Sequence, residues 1–166
     1  KQYIYNKDFV EEQQENKFKE LIDFGRKIKR IRKTYKDILN SNRPIDNKEK
    51  QISIILFLLD VCKFRVGTME YKNRYNTYGA TTLNTEHILF KDNGEAEISF
   101  VGKKSVTNSK VIKNENVIKL LEELCNRNKG KEYLFYFKDE KSETINNINA
   151  QHITTYLKKY HKNLCF

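Results

Sequence analysis

Apolar residues fall at Phe18, Leu21, Ile22, Gly25, Ile28, Ile31, Tyr35, Ile38 and Leu39, mostly in three- and four-residue steps. That spacing predicts an amphipathic helix running from Glu11 to before Pro44. Ahead of it Tyr3, Tyr5 and Phe9 alternate with polar neighbours, which predicts an extended entry segment over residues 1–10. Asp46 or Asn47 can cap a second helix, whose apolar run from Ile52 to Leu59 continues through Val61 and Phe64. Being apolar on nearly every side, it should be the central helix of the domain. Residues 82–90 and 96–101 read as strands joined by the turn Asp92-Asn93-Gly94, and 106–112 as a third strand after a turn at Gly102. Asn114 caps a helix with Val117, Ile118, Leu121, Leu124 and Cys125 on one face, closed by a turn over 128–130. Residues 133–137 form a short buried extended run, and Asn149 caps a last helix carrying Ile153, Tyr156, Leu157 and Tyr160. No repeat or second-domain linker interrupts the chain. The reading is an α+β domain, mostly α-helical, with a small three-stranded antiparallel sheet over residues 82–113.

The chain has 166 residues, of which 38% are hydrophobic, enough for one domain with a modest core. No window approaches the roughly 18 consecutive apolar residues of a membrane span, so no membrane partner is expected. The 32 Lys and Arg against 22 Asp and Glu leave a net charge of +10, which points to a polyanionic partner. Of the 32, however, 25 are Lys, a bias that with the many Asn and Ile also fits an AT-rich genome. The first helix carries Arg26, Lys29, Arg30, Lys33 and Lys36 outward, a run that reads equally well as a solvated face or a phosphate-contacting one. Cys62, Cys125 and Cys165 form no CxxC pair and have no His at ligand spacing, which argues against a metal site. They read as reduced thiols of an intracellular protein. The opening Lys1-Gln2-Tyr3-Ile4-Tyr5 has neither a starting Met nor a signal peptide, so the chain is expected to be a piece of a longer one.

One residue breaks the apolar pattern in an informative way. Arg65 comes directly after the greasiest helix, where a guanidinium requires an anion or a carboxylate, Asp60 and Glu70 being the nearest candidates. It stands in the string Phe64-Arg65-Val66-Gly67-Thr68-Met69-Glu70-Tyr71, succeeded by Asn76-Thr77-Tyr78-Gly79-Ala80-Thr81-Thr82-Leu83 and by Glu86-His87-Ile88. Further on stands Phe100-Val101-Gly102-Lys103. This ordered set resembles the catalytic domain of type IB DNA topoisomerases, particularly the poxvirus-like and bacterial short forms. Their pattern is an Arg-x-Gly after a buried helix, a Tyr shortly after, a Thr-x-Gly-x-x-Thr-Leu segment, a His at a strand start and a Phe-x-Gly-Lys hairpin. The resemblance covers nearly the whole of residues 1–166.

The resemblance implies the fold of a DNA breaking-rejoining enzyme's catalytic core, acting on double-stranded DNA as a monomer and without cofactor, metal or ATP. It implies relaxation of supercoils by transient single-strand cleavage through a 3′-phosphotyrosyl intermediate. Arg65 would clamp the non-bridging oxygens with its fork, and Lys103 would protonate the departing 5′-oxygen. Lys104, by contrast, reads as an ordinary turn lysine. Tyr71 and Thr77 match the DNA-facing segment, with Tyr75 and Asn76 as neighbouring candidates, and core packing is the competing reading of Tyr71. His87 reads as structural. The family's second Arg, its His or Asn and its nucleophilic Tyr find no match among the ten tyrosines and their surroundings. The chain is thus expected to be the amino-terminal and central part of the catalytic domain, inactive alone. Two other readings remain open: a tyrosine recombinase, and a DNA-binding module of the same fold without chemistry. The Lys and Asn bias makes a large DNA virus a plausible source, with a viral factory or virion as its compartment.

Overall fold

The structure, a computed structural model, describes residues 7–139 and 142–160. Its elements are α1 (Lys7–Leu39), α2 (Lys48–Asp60), α3 (Met69–Tyr75), β1 (Ile88–Phe90), β2 (Ala96–Val101), β3 (Thr107–Ile112), α4 (Glu115–Arg127), β4 (Tyr136–Lys138), β5 (Ile145–Asn147) and α5 (Ala150–Lys158). The strands β1, β2 and β3 form one antiparallel meander, and β4 pairs antiparallel with β5. The molecule is therefore α+β, mostly helical, with the small three-stranded antiparallel sheet expected. Among the described residues no helix is long and apolar enough to cross a membrane.

The centre is α2. Ile52, Ile54, Ile55 and Leu58 are all buried, and a side chain of that size contributes about 1.5–3 kcal/mol on burial. Asn47 caps it by accepting from the Lys50 amide at 3.1 Å. Lys50 itself is buried: its Nζ donates to the carbonyls of Leu39 and Ser41, both at 2.7 Å. This places a cation on the last turn of α1, where the helix leaves carbonyls unpaired and the dipole is negative. Desolvation pushes the Lys50 pKa down.

The sheet packs its alternate residues inward, Ala96, Ile98 and Phe100 of β2 being buried while Ser99 and Val101 face out. Phe100 meets Phe64 edge-on with centroids 4.8 Å apart. Val117, Ile118, Leu121 and Leu124 of α4, and Ile153, Tyr156 and Leu157 of α5, close the remaining sides. The predicted caps Asn114 and Asn149 accept from the amides of Val117 at 3.0 Å and His152 at 3.2 Å.

Several boundaries differ from the sequence reading. Residues 1–6, with Tyr3 and Tyr5, lie outside the described residues, and Phe9, expected in an extended segment, is already helical. Phe18, Leu21 and Ile22 are exposed, because α1 has 33 residues against 13 in α2. At about 1.5 Å per residue only part of α1 can lie along α2. The central helix ends at Asp60 and does not continue through Val61 and Phe64. Residues 82–87 are not a strand: Thr82 accepts from the Gly79 amide at 2.9 Å, and Asn84 accepts from the Glu86 amide at 3.1 Å, so both build 3₁₀ turns. The strand begins at Ile88. Residues 133–135 precede β4 as buried loop, and its partner β5, Ile-Asn-Asn, carries no strand pattern in sequence.

Candidate active site

After Asp60 the chain turns through Lys63, at φ 60°, and runs extended past Arg65. The carboxylate that sequence offered to Arg65 is taken. Asp60 receives the Arg32 fork at 2.6 and 2.8 Å and the Tyr35 hydroxyl at 2.8 Å, which together hold its carboxyl below the usual range. Arg65 is exposed, and no carboxylate among the described residues lies within ion-pair distance of it. The competing reading of Arg65, a structural salt bridge with Asp60 or Glu70, is thus not what the structure shows: the helix ends early enough to leave its guanidinium exposed.

Its backbone, in contrast, is held tightly. The Arg65 carbonyl accepts from the Ala80 amide at 2.9 Å and the Val66 carbonyl from the Thr81 amide at 2.8 Å. The Thr81 hydroxyl donates to the Val66 carbonyl at 3.0 Å. Where the two segments cross, Gly67 and Gly79 touch: a Cβ on Gly79 would stand 2.6 Å from the Gly67 Cα and 2.7 Å from the Arg65 carbonyl oxygen. Gly79 is extended, so packing alone demands a glycine there, whereas Gly67 also has φ 84°. The Arg-x-Gly and Thr-x-Gly-x-x-Thr strings are therefore the two halves of one clasp.

The clasp reaches the hairpin through the Tyr78 amide, which donates to the Val101 carbonyl at 2.8 Å. Two residues on, Lys103 opens a single 3₁₀ turn in which Lys104 and Ser105 have φ of 62° and 57°. This is a tight turn between β2 and β3, as expected, and not a helix. Lys103 is exposed and has no carboxylate partner among the described residues. Arg65, Tyr71, Thr77 and Lys103 line one cleft of 490 Å³, with Thr68, Tyr78 and Ala150. Arg65, Tyr78 and Lys103 also border a second cavity of 410 Å³ that includes Lys104 and Asn108. The arrangement sets two cations and several hydroxyls in an open, partly apolar hollow, suited to a large anion.

Of the residues proposed from sequence, Arg65, Lys103, Tyr71 and Thr77 come together, and Tyr75 and Asn76 do not line the cleft. Tyr71 is 49% exposed, which removes core packing as its explanation. Thr77 is buried, with its hydroxyl 3.5 Å from the Tyr71 carbonyl. Tyr75 packs on Tyr71 with centroids 5.8 Å apart, and Asn76, at φ 49°, ends α3 and accepts from the Tyr78 hydroxyl at 3.0 Å. His87 is structural: its Nδ1 accepts from the Asn84 amide at 3.0 Å and its ring meets Tyr78 edge-on, burial pushing its pKa down. Tyr78 and Asn108 were not singled out by sequence. Tyr78 lay within the quoted string, whereas nothing marked Asn108. No group of three metal-binding side chains occurs among the described residues.

A family model described as the catalytic core of eukaryotic DNA topoisomerase I matches residues 6–166, so the chain belongs to that family. The chain is 26% identical to a DNA topoisomerase 1B of Acanthamoeba polyphaga mimivirus over 96% of its own length and 47% of that protein's. It is also 26% identical to a DNA topoisomerase 1 of Mycosarcoma maydis, over 90% of its own length and 16% of that protein's. It thus spans less than half the length of either relative.

Proposed function

We propose that the chain forms part of the catalytic domain of a type IB DNA topoisomerase, which relaxes supercoiled double-stranded DNA without ATP. One observation carries this reading: Arg65 and Lys103, from segments far apart in sequence, share one open cleft and meet no protein carboxylate among the described residues. In the proposed reaction a tyrosine oxygen attacks phosphorus and gives up its proton, the P–O5′ bond breaks, and a 3′-phosphotyrosyl ester forms. Arg65 binds the non-bridging oxygens as charge builds on them, and Lys103 gives a proton to the departing 5′-oxygen. Tyr71 and Thr77 contact the phosphate backbone. The nucleophilic Tyr, a second Arg and a His or Asn come from sequence outside this chain, so the chain alone is inactive. The phosphotyrosyl ester keeps the energy of the broken bond, so religation needs no nucleotide.

Plasmid relaxation by the full-length protein, without ATP or added metal, tests the proposal. Arg65→Ala should leave duplex affinity within a few fold while slowing cleavage by about 10³–10⁵. Arg65→Lys should recover little, since a point charge cannot reproduce the fork. Relaxation that requires ATP, or an Arg65→Ala variant that cleaves normally, would overturn it.

A further inference from the structure

Lys103 stands in a turn that is under strain. Lys104 and Ser105 both occupy the left-handed region, with φ of 62° and 57°, a conformation that two successive residues with side chains avoid. Glycine or asparagine is the usual occupant of such positions, so Lys-Ser must be held there by its surroundings.

The Val106 carbonyl is the fixed point. It accepts from the Gly102 amide at 2.8 Å and from the Asn108 Nδ2 at 3.0 Å. The Asn108 amide lies over the Cα of Gly102, so that a Cβ on Gly102 would stand 2.3 Å from Asn108 Nδ2. The next nearest atoms, the Asn108 Cγ and the Val106 carbonyl oxygen, would be 3.4 and 3.5 Å away. Asn108 is thus the one group that fills the space a side chain at Gly102 would need. It also lines the same cavity as Arg65 and Lys103.

We infer that Asn108 is a positioning residue: its amide clamps the β2–β3 turn in its strained form and so fixes where the Lys103 ammonium can reach. The inference rests on the reading of Lys103 as the proton donor. Glycine at 102 serves the clamp, because only a residue without Cβ leaves room for the amide. Without the clamp the turn relaxes, and the ammonium is off target by the ångström or so that proton transfer does not tolerate.

Cleavage by the full-length protein is measured on two DNA substrates, one with the ordinary 5′-bridging oxygen and one with sulfur there, because a thiolate leaves without a proton. Lys103→Ala should be slowed about 10²–10⁴ on oxygen and little on sulfur. Asn108→Ala and Asn108→Ser should be slowed at least tenfold on oxygen and stay within about threefold of the parent on sulfur. Gly102→Ala, whose methyl evicts the amide, should show the same signature, and combining it with Asn108→Ala should add nothing. Urea unfolding of each variant identifies those that stay folded at assay conditions. Equal slowing of folded Asn108 variants on both substrates, with Lys103→Ala still rescued by sulfur, would overturn the positioning role alone. If sulfur does not rescue Lys103→Ala, the proton-donor reading falls, and the inference with it.

Discussion

Replacing Gly79 by alanine adds one methyl group to a position whose backbone is extended, so no conformational penalty applies. The cost is contact. The new Cβ would lie 2.6 Å from the Gly67 Cα and nitrogen and 2.7 Å from the Arg65 carbonyl oxygen, all backbone atoms that cannot rotate away. Ordinary contact requires 3.4–4 Å, so the two segments must part by most of an ångström. That separation stretches the 2.9 Å bond from Ala80 to Arg65 and the 2.8 Å bond from Thr81 to Val66, whose donor residues are both buried. With about 1–3 kcal/mol for each buried group left unpaired, Gly79→Ala should cost roughly 2–5 kcal/mol. Against a total stability of about 5–15 kcal/mol that is a large fraction. Gly25→Ala is the control: it sits within α1 with nothing within 4 Å, and should be neutral or gain up to about 1 kcal/mol. Urea unfolding with an unchanged m-value measures both. If Gly79→Ala lies within about 0.5 kcal/mol of the parent, the crossing of the two glycine segments does not hold the site together.

Duplex binding by the chain alone should be weak and should fall steeply with salt, with a slope of about 0.9 per phosphate contacted; no binding at low salt would remove DNA as the partner. Asp60 is held below the carboxylate's usual pKa, first by the Arg32 hydrogen bonds. Its contribution is therefore complete above the unfolded value near pH ~4 and is lost as pH falls through the lower folded value. Asp60→Asn should cost about 1–2 kcal/mol at neutral pH and flatten the acid limb of stability below about pH 4, as followed by urea midpoints across pH. Burial pushes the thiols of Cys62 and Cys125 up to about 11, so at pH 8 iodoacetamide should label both slowly until urea exposes them. Labelling of native Cys62 at the rate of a free thiol, read by mass spectrometry, would show that its site opens readily.

Helices with caps and one apolar face were legible from sequence because both signals are local. Asn47, Asn114 and Asn149 each mark a true start, and the Asp92-Asn93-Gly94 turn marks a true hairpin. What sequence could not show was competition between distant groups. Asp60 stood available to Arg65 until the structure gave it to Arg32 and Tyr35, which arrive from α1. Thr82 and Asn84 sit in a run that suits a strand, but their side chains bind nearby amides and bend it into turns. The exposure of Phe18 is set by the relative lengths of α1 and α2 and not by its helical spacing. Arg65 and Lys103 were singled out through motif order, whereas Asn108 needed coordinates, since what marks it is its amide in the space of a missing Cβ six residues earlier.

The clasp of Gly67 on Gly79 also separates what must stay constant from what is free to change. Between its two halves α3, with Tyr71 and Tyr75, leaves the body and returns close to where it left; α3 has no buried residue and is tied elsewhere by the side chains of Lys72, on Glu132, and Met69, beside Asn147. Lengthening such a closed excursion costs only about 0.6 kcal/mol per doubling. New sequence can therefore be tried in α3 while Arg65 and Lys103 keep their places. The fold thus sets a segment that can vary beside a pair of cations whose backbone is pinned, so that change in the one need not displace the other.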